Sequence, residues 1–447
     1  MTKKRLFGTN GVRGIIGSDM TPSLVLSIGL ALGSMRKGSI AIGRDTRTSG
    51  PALVGALKAG LLSTGCDVTD SGILPTPALQ YIVQEYFDAG AMITASHNPP
   101  EYNGVKVIEP DGTEMGDEET IRLEERVLDK EVPLVPWNAT GREYQAFDLV
   151  HEYTDAVVHR FPPGIGEGIT VAVDPGSGAA CATTPEILIR LGCRVVTING
   201  QMDGMFPGRL PEPSPEGLLG LGELVRATGA ALGIAHDGDA DRAVFLDEQG
   251  QFIEENQEFA LVADQVCRER KGTVVMPVST SLVVETIARK NGCDVRYTPV
   301  GSIYVARAMR ALEAEGTRVA FGGEGNGGLI YPDHQYCRDG GMTAAMMIAI
   351  LVRECRTVSD LVAALPEFYL IKEKIRGRDP AAMIARLTTE YAGESIDLTD
   401  GIRINRPDAW ALIRPSGTEP LVRVIVESPK KETASAFFDE IIQKLGA

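Results

Sequence analysis

At roughly 100 to 200 residues per domain, a chain of 447 residues holds about three or four domains, and its 43% hydrophobic and 23% charged residues describe an ordinary globular protein rather than a disordered or fibrous one. A net charge of −16 argues against nucleic acid or an anionic membrane as the main partner, since both call for a basic surface. Seven cysteines without a CxxC pair suggest neither a disulfide framework nor a structural zinc site; MTKKRLFGTNG has no apolar core of a leader, and the stretch Met342 to Val352 is too short to span a bilayer, so a cytoplasmic protein is expected.

Along the chain, three short buried-type strands end in turn residues: SIAIGRDTR from Ser39, ITVAVDPGSG from Ile169 and TVVMPVSTS from Thr273. Each leads to a helical apolar pattern (LVGALKAGLLST, TPEILIRL, SLVVETIARK) and then to the phrase Gly-Cys-x-Val at Gly65, Gly192 and Gly292. Strand, turn, helix, glycine, strand is a βα unit feeding a parallel strand, and its recurrence predicts three tandem, similar α/β domains with mixed sheets. After Leu365 the pattern changes to short strands (FYLIKEKI, GIRIN, AWALIR, LVRVIVES) and a terminal amphipathic helix, ETASAFFDEIIQKL. A smaller C-terminal α+β domain is expected, with joints at FPPGIGEG, DEQG and LPEF. The expected domains are 1–150, 151–252, 253–366 and 367–447, placed around a central cleft.

Four loops carry chemistry. In ITASHNPPEYNGVKV, Ser96 follows a strand and precedes two prolines, an ordered turn in which the serine is either a turn residue or a stored phosphoryl donor. His97 reads most simply as a hydrogen-bonded structural histidine, and Lys106 is placed to return beside Ser96 across the turn. In HDGDADRAVFLDEQG, Asp237, Asp239 and Asp241 present three hard oxygen ligands that repel one another unless a cation lies among them. An EF-hand fails because Arg242 stands where the loop requires glycine and the exit AVFL is strand-like, which favours Mg²⁺ bound jointly with a phosphate. FGGEGNGG lets a ligand approach the backbone, with Glu324 and Asn326 as polar contacts for sugar hydroxyls or an amine. IRPSGTEPLVRV offers Arg414, Ser416, Thr418 and the amides around Gly417 as a nest for a phosphate that is held rather than transferred; it lacks the GK[ST] of a nucleotide loop.

With these four loops in this order, and with FGTNGVRG and GRDTR near the start, the sequence resembles the α-D-phosphohexomutase family along its whole length. FGTNGVRG and RPSGTEPLVRV look most like the phosphoglucosamine mutases of that family, and GEGNGG like its archaeal members. The resemblance implies a phosphoserine domain, a metal-binding domain, a sugar-binding domain and a phosphate-binding domain. Ser96 resembles the phosphorylated serine, and Asp237, Asp239 and Asp241 the ligands of one Mg²⁺ per chain, with the phosphorylated Ser96 supplying a further oxygen. Arg13 and Arg242 would neutralise the transferring group, Lys106 is similar to the family's proposed general acid/base, and His97 would orient the loop. Glu324, Asn326 and Gly301 would read the sugar; Arg414, Ser416, Gly417, Thr418 and Arg423 would hold its distal phosphate. The implied activity is interconversion of glucosamine 6-phosphate and 1-phosphate through a phosphoserine enzyme, with glucosamine or glucose 1,6-bisphosphate as intermediate and activator. The alternatives are a phosphomannomutase/phosphoglucomutase of the same mechanism or, in another class, a non-catalytic calcium- or sugar-phosphate-binding protein. The implied partner is a small sugar phosphate, with no nucleic acid or membrane, and the implied assembly a monomer or homodimer. Several bacterial relatives end the sugar loop as GExSGH, where this chain has Asn326 and Gly328, and Ser302 stands where some members have histidine. His334, close in sequence to the sugar loop, is worth testing as a replacement imidazole.

Overall fold

A computed structural model describes residues 6–8, 11–129, 132–376, 379–415 and 421–445. It divides into two compact units, Met1–Glu254 with Asn326–Val362, and Glu255–Gly325 with Ala363–Ala447. Among the described residues, no helix is long and apolar enough to cross a membrane.

The first unit begins with a six-stranded sheet of β1 (Val12–Ile15), β2 (Ser39–Arg44), β3 (Asp67–Ile73), β4 (Ala89–Ile93), β5 (Tyr102–Ile108) and β6 (Glu143–Gln145), in the order β1-β5-β4-β2-β3-β6. β2 runs parallel to β3 and β4, while β5 is antiparallel to β4 and β1. Helices α1 (Pro22–Met35), α2 (Gly50–Ser63), α3 (Thr76–Tyr86) and α4 (Asp117–Asp129) belong to the same part of the chain. Apolar residues of α1, α2 and α4 join those of the strands in one buried cluster that includes Ile28, Leu57, Ile40 and Leu123. The second sheet contains β7 (Thr170–Asp174), β8 (Arg194–Thr197), β9 (Leu232–His236) and β10 (Ala243–Leu246), in the order β10-β9-β7-β8. Only the β9–β10 pair is antiparallel, and the hairpin it makes carries the three aspartates.

The phrase repeated in the sequence turns out to be a helix cap. Gly65, Gly192 and Gly292 adopt φ of +87°, +99° and +72°, a left-handed conformation open to glycine. In each case the following cysteine N–H donates to a carbonyl five residues back (Leu61, Leu188, Ala288), at 3.2, 3.0 and 3.0 Å. This is a Schellman closure, and in all three the chain then enters a strand parallel to the one before the helix.

In the second unit, Thr273–Pro277 pairs in parallel with Asp294–Thr298 on one side and Val319–Glu324 on the other. The C-terminal sheet is antiparallel throughout, in the order Tyr369–Arg376, Leu421–Ser428, Ala409–Pro415, Ile402–Arg406, Ser395–Asp397. Its core gathers Ile404, Ala411 and Val424 with Leu387 and Phe437 of the two helices that cover one face. At its opposite face Trp410 and Leu412 pack with Val278. There Glu427, 1% exposed, accepts from Ser281 Oγ, from Leu282 N–H at 2.8 Å and from Trp410 Nε1 at 2.6 Å. Glu427→Ala leaves two buried donors and one half-buried donor without this acceptor and is expected to destabilise this unit by about 3 kcal/mol. Trp410 fluorescence during urea unfolding measures it, because the other tryptophan, Trp137, is 88% exposed and changes little; an unshifted midpoint would show that Glu427 is not a tie.

Candidate active site

The serine and aspartate loops meet in the first unit. β4 is buried along its whole length and delivers Ser96 just past its end, with φ +51°, a left-handed backbone that costs a non-glycine residue about 1 kcal/mol or more. Arg47, from the turn after β2 and fully buried, holds this loop in place. Its guanidinium donates to the carbonyls of Ser96 (2.9 Å), Asn98 (2.5 Å), Pro99 (2.6 Å) and Tyr102 (2.9 Å). Asp45 pairs with Arg47 Nε at 3.1 Å and accepts from Thr94 Oγ1 at 2.6 Å, and that hydroxyl in turn accepts from Ser96 N–H at 2.8 Å. Backbone and side chain of the serine loop are thereby set from beneath.

The loop between β9 and β10 comes against this loop. A Cβ on Gly238 would stand 2.6 Å from the Ser96 carbonyl oxygen, so only glycine permits the approach. Ser96 Oγ donates to Asp237 Oδ2 at 2.7 Å. Thr76, the first residue of α3, grips the loop twice: its N–H donates to the Asp239 carbonyl at 2.9 Å and its hydroxyl to Asp239 Oδ2 at 2.5 Å. Lys106 extends from β5 into the aspartates, donating to Asp239 Oδ2 at 2.8 Å and Asp241 Oδ2 at 3.1 Å. Arg338 donates to the same Asp241 oxygen at 2.5 Å.

The three carboxylates are buried, each with one oxygen within 4.8 Å of the others. Asp239 Oδ1 and Asp241 Oδ1 have no hydrogen-bond partner among the described residues. Buried, unsatisfied carboxylate oxygens carry a desolvation cost, and a donor set of hard oxygens suits a divalent cation such as Mg²⁺; the residues fit the ion. Electrostatics lead the same way. Burial opposes the charge of Asp241, yet Arg338 and Lys106 hold it below the ordinary carboxylate value. Asp239, also opposed by burial, is held low by Lys106. Asp237 is pushed well above its ordinary value, by burial and then by its two acidic neighbours. Lys106 and Arg338 thus favour the charged forms of Asp239 and Asp241, while at Asp237 burial and the neighbouring carboxylates outweigh Arg242.

On the open side lie Arg13, His97 and Arg242. Arg13 Nη1 donates to Asn98 Oδ1 at 3.0 Å and to the Ala95 carbonyl at 3.3 Å. Burial lowers the His97 pKa to about 3, with Arg242 and Arg13 adding to the shift, so its imidazole is neutral near pH 7. In that state Nδ1 accepts from Arg242 Nη2 at 3.2 Å. Glu212 completes this edge, 3.5 Å from Arg242 Nη1 and 3.7 Å from His97 Nε2. Lys106 is opposite in character: burial opposes its charge, but Asp239 and Asp241 outweigh it and raise its pKa. It is a held ammonium.

Asn326 belongs to the first unit, where its Oδ1 accepts from Gly328 N–H at 3.2 Å. His334 is 5% exposed, stacked on Tyr81 with ring centroids 5.3 Å apart and 3.4 Å from Asp339; it is packed into the protein rather than presented by the sugar loop. Glu324 and Gly301 belong to the second unit, Glu324 as the last residue of its strand and Gly301 with φ +139° before the helix Ser302–Ala314. Ser416, Gly417 and Thr418 lie outside the described residues. Arg414 and Arg423, which flank them, are register partners on adjacent antiparallel strands, and Lys374 is the partner of Arg423 on its other side. Like charges directly opposite are unfavourable without an anion between them, and among the described residues Asp400 lies 3.2 Å from Arg414. Sequence reasoning missed Thr76, Glu212, Arg338 and Lys374, and it noted Arg47 only as part of GRDTR.

Comparison with known proteins covers nearly the whole chain. Four family profiles match in order: the alpha/beta/alpha domains I, II and III of phosphoglucomutase/phosphomannomutase at residues 4–132, 151–250 and 254–369, and the C-terminal domain at 370–444. A phosphoglucomutase/phosphomannomutase of Thermococcus kodakarensis is 44% identical over 97% of each chain. A probable phosphoglucosamine mutase of Methanopyrus kandleri is 40% identical over 98% of this chain and 97% of its own. Among solved structures, a phosphoglucomutase/phosphomannomutase family protein from Burkholderia thailandensis superposes with a TM-score of 0.88 at 28% identity, covering 98% of this chain and 96% of its own. The fold and these relatives define a phosphohexomutase, an isomerase that acts as an intramolecular phosphotransferase on sugar phosphates. The chain belongs to the phosphoglucomutase/phosphomannomutase family.

Proposed function

We propose that the protein interconverts glucosamine 6-phosphate and glucosamine 1-phosphate, with Ser96 as the stored phosphoryl donor. The observation that carries the reading is the buried hydroxyl of Ser96, 2.7 Å from one carboxylate of a triple-aspartate loop that retains unsatisfied oxygens. Asp237, Asp239 and Asp241, with an oxygen of the phosphorylated Ser96, would hold one Mg²⁺, which supplies positive charge to the transferring group. Arg13 and Arg242 add positive charge at the same edge, and His97, neutral and accepting from Arg242, orients that arginine. The phosphoryl group passes from Ser96 to a free sugar hydroxyl, giving the 1,6-bisphosphate, and after the sugar turns around its other phosphate returns to Ser96. In each half the accepting oxygen loses one proton and the departing oxygen gains one, and Lys106 is the carrier we assign: starting as the ammonium, it gives its proton to the departing oxygen, and the resulting amine takes the proton that the accepting oxygen releases. Glu324, Asn326 and Gly301 are the sugar-reading residues, while Arg414, Arg423 and the turn of Ser416, Gly417 and Thr418 hold the distal phosphate. The domains 1–150, 151–252, 253–366 and 367–447 divide these tasks in chain order. Seven free cysteines suit a reducing, cytoplasmic setting.

Relatives of both kinds favour two sugars, so the second reading, a phosphomannomutase/phosphoglucomutase of the same mechanism, stays in the test. Intact-mass measurement of the purified chain, before and after phosphatase, is expected to show one phosphate that maps to Ser96. The kcat/KM for glucosamine 6-phosphate is expected to exceed those for glucose 1-phosphate and mannose 1-phosphate under one set of conditions. A preference for mannose 1-phosphate would transfer the assignment to the second reading; absence of any serine phosphate and of any turnover would sink both.

A further inference from the structure

Arg338 stands in no motif, yet it is 4% exposed and reaches the centre of the aspartate loop. Three observations explain its placement. Its stem fills the space over Gly328: a Cβ there would stand 2.3 Å from Arg338 Cδ and 3.1 Å from Cγ, so a side chain at 328 and this arginine exclude each other. The backbone beyond it is fixed. Asp339 N–H donates to the Leu329 carbonyl at 3.0 Å, and Gly340 N–H donates to the carbonyl of Ala240 in the aspartate loop at 3.2 Å. The Asp339 carboxylate accepts from Met342 N–H at 2.9 Å, Tyr153 Oη at 2.5 Å and Gln335 Nε2 at 2.7 Å. Finally, Arg338 and Lys106 converge on one oxygen of Asp241, Oδ2, and leave Oδ1 without a hydrogen-bond partner.

We propose that Arg338, laid over Gly328, is a positioning residue that fixes the Asp241 carboxylate with Oδ1 free for a divalent cation. The inference rests on the divalent-cation reading above. It also has a definite sign. A positive charge beside the ligand would by repulsion alone weaken cation binding, whereas a lock on the carboxylate strengthens it. Loss of a residue that orients a ligand typically costs about 10- to 100-fold in metal affinity.

The test is calorimetric titration of the purified full-length chain, phosphatase-treated, with Mn²⁺. Wild type is expected to bind one ion and Asp239→Asn none, which checks the cation reading by itself. Arg338→Met keeps the stem over Gly328 but removes the donors; it is expected to bind Mn²⁺ about 10- to 100-fold more weakly, with Arg338→Lys recovering part of the loss. Gly328→Ala leaves the guanidinium in the sequence but displaces the stem, and a weakening in the same direction is expected. It decides the matter if Arg338→Met fails to fold. Unchanged or tighter binding in the folded Arg338→Met protein, or in Gly328→Ala, overturns the proposal. Were wild type itself to bind no Mn²⁺, the cation reading would fall, and this inference with it.

Discussion

Ser96→Ala is expected to lower mutase turnover by about 10⁴-fold or more, the scale seen when a covalent catalyst loses its reacting atom. The effect should lie in kcat, because Ser96 is enclosed by Arg47, Thr94 and Asp237 and its removal leaves those supports in place. A coupled assay of sugar-phosphate isomerisation measures it, and activity within tenfold of wild type would take Ser96 out of the reaction. A companion variant separates chemistry from strain. At φ +51°, glycine relieves a cost that alanine retains, so Ser96→Gly is expected to be as inactive as Ser96→Ala but about 1 kcal/mol more stable. A reversed order of stability would show that the left-handed backbone is relaxed by its surroundings.

The second large effect concerns Arg47. Arg47→Met removes the donors to four loop carbonyls and leaves the buried Asp45 carboxylate without its ion-pair partner. Breaking a buried pair from one side costs about 3–5 kcal/mol, and the orphaned carbonyls add to it. The Tm of the full chain is expected to fall, and mutase activity to be lost even well below the transition, because the loop that presents Ser96 has lost its underside. Retention of both Tm and activity would mean that the prolines at 99 and 100 hold the loop unaided.

The parts of this site that could be read from the sequence are those whose chemistry lies within one short phrase. Asp237, Asp239 and Asp241 declare themselves because alternating carboxylates on a hairpin need a cation, whatever the rest of the fold does. The repeated Gly-Cys-x-Val was legible for a similar reason, since a helix cap is a local device. Arg47, Thr76 and Arg338 were not legible as partners: they reach Ser96, Asp239 and Asp241 across 49, 163 and 97 positions of sequence. No spacing rule spans those distances. Lys106 shows the limit within a phrase, for its place on β5 was foreseeable, but its pairing with Asp239 and Asp241 depends on a loop from elsewhere that comes to rest against it. Lys374 failed to register because cross-strand register, not sequence, brings it opposite Arg423.

The first unit is interrupted: residues 255–325 belong to the other unit, and the chain returns to close the first only with residues 326–362. On a ribosome that order matters. Asp241 is synthesised 97 residues before Arg338, a wait of about 5 to 20 s at about 5–20 residues per second. Throughout it the growing chain already holds the serine, the lysine and all three aspartates, but lacks the arginine and the Asp339 anchor that complete their setting. The candidate site is therefore completed only after the chain has returned from the other unit, although the serine, lysine and aspartates that mark it are all made before the chain leaves.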